Sequence, residues 1–214
     1  DLASFLKEAQ GVINQKVQYD SSKYTVKWGG AFENQNRAYT RLSVILPLTL
    51  MCMFILLYAT FGKFRQAGLV LSIVPLALFG GMLALNVRGM TLNVSSAVGF
   101  IAMFGLSIQN GIIMVSQINS LRKGRMELRE SVIEGARQRF RPILMTSVTT
   151  VLGLFPASLA TGIGSDVQRP LATVIVYGLM FSSLISLFVL PVFYYLIENN
   201  VLNKKKNDEK EYTL

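Results

Sequence analysis

The chain has 214 residues, of which 51% are hydrophobic and only 15% charged, and it carries a net charge of +9. Its apolar residues gather into long uncharged runs instead of marking one face of each element, which excludes an ordinary soluble core. The positive charge does not point to nucleic acid, because the basic residues cluster at the ends of those runs. Cys52 is the single cysteine and histidine is absent, so an intrachain disulfide is excluded.

The chain opens at Asp1, without a start methionine or a charged-then-apolar leader, and reads as a piece of a longer protein. Residues 1–40 are expected to end an extramembrane domain. Leu2, Phe5, Leu6, Ala9 and Ile13 recur at helical spacing, and Tyr24, Val26 and Trp28 alternate as in a strand that Gly29-Gly30 ends. One helix and one strand cannot bury a core of their own, so this is a short α/β remnant whose other elements lie elsewhere.

Five uncharged runs follow: Leu42–Gly62, Gln66–Val87, Gly89–Leu121, Pro142–Ser165 and Pro170–Ile197. About 20 apolar residues cross a hydrocarbon core, so each run predicts one transmembrane helix. The first is expected over Leu42–Thr60 and the second over Ala67–Val87, kinked at Pro75. The third is expected over Leu92–Ile118. Between Gly124 and Arg141, Leu128, Val132, Ala136 and Phe140 form an apolar edge, which predicts a separate helix lying on the membrane surface. Pro142 is placed to open the fourth span in its first turn. The fifth is expected over Leu171–Ile197, before a charged, disordered tail at 203–214. The fold class is therefore an all-α membrane protein, with the membrane part over 41–200.

Basic residues sort to one side: Lys63, Arg65, the stretch Arg122 to Arg141, and Lys204, Lys205, Lys206 and Lys210. Positive-inside bias puts these in the cytoplasm and the amino end outside.

The third span is the most informative. Ser96, Met103, Ser107, Asn110, Met114 and Gln117 share one narrow stripe of the helix, and amides in lipid are costly unless they face protein or water. The stripe predicts an inward face. Asn110 is open to two roles, an interhelical hydrogen bond that only packs the bundle or a group on a transport path. Thr146, Thr149, Thr150 and Gly153 in the fourth span, and Gly178, Ser182 and Ser186 in the fifth, read as close-packing surfaces. Met51-Cys52-Met53 has soft-metal chemistry, but adjacent helical side chains diverge by about 100° and cannot converge on one ion. No histidine, aspartate or glutamate lies inside the uncharged runs and no phosphate-binding loop is present, so no enzyme, cofactor or metal site is expected in this chain.

Three segments together resemble the carboxy-terminal half of resistance-nodulation-division efflux pumps: VGFIAMFGLSIQNGIIMVSQI, EGARQRFRPILMTSV and ATGIGSDVQRPLATVI. The resemblance covers almost the whole chain. It implies that the five helices are spans eight to twelve of a twelve-span, two-repeat transporter. Drug-exporting members resemble GLSAKNAI where this chain has GLSIQNGI, so Gln109 stands where they carry a lysine. That change and the VQRPLA loop are similar to the cobalt-zinc-cadmium type of metal exporter, while copper and silver types carry glutamate at the Asn110 position.

The resemblance implies proton-driven export of divalent cations. Gln109, Asn110, Thr146 and Arg139 are candidates for the proton pathway, and Ser107, Gly178, Ser182 and Ser186 are candidates for helix packing. The implied partners are the missing amino-terminal half, two further copies in a homotrimer, a periplasmic adaptor, an outer-membrane channel and the surrounding lipid. The proton-titrating carboxylates and the substrate cleft are expected outside this chain. Copper, silver or drug export, or an inactive half-bundle, are the alternatives.

Overall fold

The computed structural model describes residues 8–9, 11–13 and 31–211, with backbone alone for 31–36, Tyr39 and 204–211. Residues 8–9 and 11–13 are helical, within the stretch where the first helix is expected. The strand expected at Tyr24, Val26 and Trp28 lies outside the described residues. The chain divides into two units, Asp1–Pro47 and Leu48–Leu214, and the second holds the packed bundle.

Among the described residues there is no strand. From Ala31 onward the helices are α1 (Ala31–Phe61), α2 (Phe64–Leu71), α3 (Ile73–Val87), α4 (Val94–Lys123), α5 (Leu128–Leu159) and α6 (Ser165–Glu211). Five stretches are long and apolar enough to cross a membrane: Thr40–Phe61, Phe64–Val87, Val94–Lys123, Leu128–Leu159 and Ser165–Asn203. The five expected spans are all present, as an all-α bundle.

Helix α6 is the spine, packed against α3, α4 and α5. Of its most apolar stretch, 67% is buried, against 6% in the first span and 17% in α5. Cys52 and Met51 are exposed on α1, so neither is a core residue. Small residues let the spine approach its neighbours. A Cβ at Gly99 would sit 2.9 Å from the backbone oxygen of Leu171, and one at Gly80 would sit 2.5 Å from Phe181 Cβ. A Cβ at Gly178 would overlap Met103 Sδ. Without a strong hydrophobic drive between helices in lipid, such dispersion contacts carry much of the association.

The link from α3 to α4 is closed by backbone chemistry at both ends. Gly89, at φ +61, lets its N–H donate to Asn86 O at 3.0 Å, while the Met90 N–H donates to Leu85 O at 2.9 Å. These are the paired bonds of a Schellman stop. Four residues on, Asn93 Oδ1 accepts from the Ser96 N–H at 2.8 Å and Ser96 Oγ accepts from the Asn93 N–H at 2.9 Å, a reciprocal capping box.

Four expectations need correction. The second span starts at Phe64, and its ladder is interrupted at Ser72, which divides it into α2 and α3, while Ser72 keeps a right-handed helical backbone and Phe64–Val87 stays one crossing. The Pro75 ring conflicts with the carbonyl four residues back, at Leu71, so the ladder gives way one turn before the proline. Ser72 Oγ donates to Leu69 O at 2.7 Å across the break. The surface helix and the fourth span are not separate, because α5 runs unbroken from Leu128 to Leu159 with Pro142 inside it. The lost donor and the ring conflict are tolerated at Pro142, where Gln138 and Arg139 bond to α4 before it and Ile143 is buried after it. Likewise α6 starts at Ser165 and contains Pro170. The tail expected to be disordered from 203 continues as helix to Glu211.

Candidate functional site

Polar side chains gather where the start of the second span meets the ends of the third and fifth. Gln66 on α2, Tyr194 on α6 and Glu198 on α6 are buried, the last 7% exposed. Gln66 Nε2 donates to Glu198 Oε1 at 3.0 Å and to Asn119 Oδ1 at 3.2 Å, and Asn119 Nδ2 donates back to Gln66 Oε1 at 2.8 Å. The Tyr194 hydroxyl donates to Asn119 Oδ1 at 2.6 Å. Arg122 Nη1 donates to Glu198 Oε2 at 2.9 Å and to the Tyr194 oxygen at 3.2 Å, and Lys63 Nζ lies 3.8 Å from Glu198 Oε1.

Every oxygen of the carboxylate is therefore engaged, and its charge faces two cations. A buried carboxylate is costly alone but tolerable when paired and hydrogen-bonded on all sides. The cluster ties three spans together at one membrane border.

A second set joins α4 to α5. Arg139 donates through Nε at 3.2 Å and Nη2 at 2.6 Å to Gln117 Oε1, while Gln117 Nε2 donates to Gln138 Oε1 at 2.6 Å. Gln138 Nε2 then donates to Glu134 Oε1 at 2.9 Å on its own helix. A third tie stands at the opposite ends of the spans, where Arg88 Nη1 donates to Thr173 Oγ1 at 3.0 Å. Nearby, Ser95 Oγ donates to Val167 O.

Ser96, Met103, Ser107, Asn110 and Met114 of the polar stripe are all buried, and Gln117 at its end is half-buried. Gln109 is exposed, on the neighbouring face of α4. Thr146 is exposed as well, its Oγ1 donating to Pro142 O at 2.9 Å, while the adjacent Ser147 is the buried residue. Gln109, Asn110 and Thr146 thus face different surroundings, and Arg139 joins Gln117 instead of any of them. Gly178, Ser182 and Ser186 line the α6 side of the packed interior. The hydroxyls of Ser107, Ser147, Ser182 and Ser186 are enclosed without a hydrogen-bond partner among the described residues.

Sequence reasoning missed the Gln66–Asn119–Arg122–Tyr194–Glu198 cluster. Glu198 stands one residue past the uncharged run that ends at Ile197, so it was counted outside the membrane. The fifth span extends to Asn203 and carries it into the bundle. The signal was present: Tyr194 and Glu198 are four apart, and Asn119 and Arg122 three apart, so each pair shares a helix face.

Residues 1–198 match the AcrB/AcrD/AcrF family. The chain is 44% identical over 194 residues to the cobalt-zinc-cadmium resistance protein CzcA of Cupriavidus metallidurans, covering 91% of this chain and 18% of that protein. It is 42% identical to the nickel and cobalt resistance protein CnrA of the same organism, over 89% of this chain and 18% of CnrA. The cation efflux system protein CusA of Escherichia coli matches at 34% over 92% of this chain and 20% of its own length. The crystal structure of a heavy metal efflux pump superposes with a TM-score of 0.78 at 53% identity, covering 93% of this chain and 20% of that one. The chain spans about a fifth of the length of these relatives. It belongs to the AcrB/AcrD/AcrF family, the resistance-nodulation-division transporters.

Proposed function

We propose that this chain is spans eight to twelve of a proton-driven antiporter that exports divalent cations such as zinc, cobalt, cadmium or nickel, acting as a transporter and not as an enzyme. The observation that carries this reading is the order of the similarities. Relatives named for cobalt, zinc, cadmium and nickel match at 40–44%, and CusA at 34%. Gln109 and Thr146 are exposed in this bundle, which leaves their faces uncovered for the rest of the transporter. Coupling needs a group inside the bilayer whose charge changes with protonation, and Gln109, Asn110 and Thr146 do not titrate near neutral pH. Glu198 is held in ion pairs with Arg122 and Lys63 at the border of the bundle, so in this reading the titrating carboxylates of the proton path belong to the amino-terminal half.

In this reading the amino end is periplasmic and the carboxy end cytoplasmic, in a bacterial inner membrane. The assembly is a homotrimer joined to a periplasmic adaptor and an outer-membrane channel. The test is expression of the full-length protein in a strain stripped of its own metal exporters. Raised tolerance to zinc, cobalt, cadmium or nickel is expected. Tolerance raised for copper, silver or drugs alone would overturn the divalent assignment.

A further inference from the structure

Beside the buried cluster lies a cavity of about 510 Å³, lined in part by Lys63, Arg122 and Lys123 and by the hydroxyls of Ser116 and Ser120. It stands at the start of the second span and the end of the third, the depth at which a bilayer places its headgroups. Glu198 pairs with Arg122 and Lys63 but does not line the cavity, so two positive charges remain in excess around it. Lys63 is 59% exposed and Lys123 is exposed, so neither cation is covered by the five spans. Gln66, which is buried, and Asn119 are on the wall, already fixed by bonds to each other.

We propose that this cavity binds a phosphate-bearing anion, the headgroup of an acidic phospholipid. Arg122 is oriented by Glu198 and Tyr194, so its guanidinium is fixed before the ligand arrives, and little ordering remains to oppose binding. Lys63 and Lys123 act as point charges at the mouth, and the serine hydroxyls supply donors to the phosphate oxygens. The site rests on the spans alone and holds whether or not the protein exports divalent metals. Occupancy would brace the ends of the second and third spans against each other.

The experiment is native mass spectrometry of the purified full-length protein, titrated with phosphatidylglycerol or with phosphatidylcholine of the same acyl chains. Phosphatidylglycerol is expected to be retained more tightly. Lys63→Gln and Lys123→Gln should each weaken its retention about fivefold, as expected for one basic side chain at a membrane surface. Arg65→Gln, an exposed cation in the same turn but off the cavity wall, should not. If Lys63→Gln disturbs the fold, the exposed Lys123 carries the test. Displacement of the lipid by millimolar inorganic phosphate would keep the phosphate chemistry and move its source to solution. Equal retention of both lipids, or an Arg65→Gln loss as large as that of Lys123→Gln, would overturn the site.

Discussion

Replacing Glu198 is the sharpest probe of the buried cluster. In Glu198→Leu, Arg122 keeps only the Tyr194 hydroxyl at 3.2 Å, Gln66 keeps only Asn119 and a long bond from its Nε2 to the Tyr194 hydroxyl at 3.5 Å, and Lys63 loses its counter-ion. Breaking a fully buried pair costs about 3–5 kcal/mol, because the surviving charge stays desolvated. Arg122 is 24% exposed and can take up water, which reduces the expected cost to about 2 kcal/mol. Glu198→Gln keeps the shape and one acceptor, and should lose about 1 kcal/mol. The protein is large, so one global unfolding free energy does not report on this corner. Hydrogen exchange of the full-length protein in detergent does. Peptides covering 190–200 should exchange about 30-fold faster in Glu198→Leu and about fivefold faster in Glu198→Gln. Adding Arg122→Gln to Glu198→Gln should cost less than the sum of the two alone, since the second change has no ion pair left to break. Unchanged exchange in Glu198→Leu, or strict additivity in the double variant, would refute the account of the cluster as one coupled unit.

The remaining predictions use other contacts. Gly99→Ala should lower thermal stability by about 1–3 kcal/mol, because its Cβ meets the rigid backbone of Leu171, whereas Gly105→Ala, with nothing within 4 Å, should be neutral or stabilising; similar melting of the two would reject the close approach. Arg125 holds φ +66 at the stop of α4, a strained conformation for a residue with a Cβ, so Arg125→Gly should stabilise the turn by about 1 kcal/mol, read as slower exchange at 121–127. Asn93→Ala removes the α4 cap and should cost about 1 kcal/mol, read as faster exchange at 93–97. In the full-length protein with Cys52 replaced, a cysteine at 165 should react with an impermeant reagent from outside and one at 125 should not; the reverse would overturn the proposed orientation.

What was legible in the sequence follows from what a bilayer tolerates. A hydrocarbon core forbids charge over about 20 residues, so the five spans stand out from composition alone. The stripe through Ser96, Met103, Ser107, Asn110 and Met114 was legible for the same reason, since lipid leaves polar groups nowhere to face but inward. Helix ends were less so. Pro142 and Pro170 look like starts because proline suits a first turn, yet tertiary contacts carry α5 and α6 through them. At Pro75 the ladder does break, at Ser72, although Val70 before it and Ile73 after it are buried. Glu198 escaped notice because a rule based on uncharged runs places every charge outside. Its acceptability depends on Gln66 and Arg122, 132 and 76 residues away in the chain, and no local pattern carries that.

The length of α6 has a mechanical consequence. Thr173 is latched to Arg88 of the α3–α4 turn near one membrane face, and Glu198 is latched to α2 and α4 at the other. The two latch points are 25 residues apart on one helix, about 37 Å at 1.5 Å per residue. A tilt of about 5° over that lever displaces one end by roughly 3 Å, the length of a hydrogen bond. Helix α6 cannot rock alone and keep both latches; it must either release one or carry α2, α3 and α4 with it. As long as both stay closed, α2, α3, α4 and α6 move as a block, and α5 is drawn along through its own tie from Arg139 and Gln138 to Gln117 of α4.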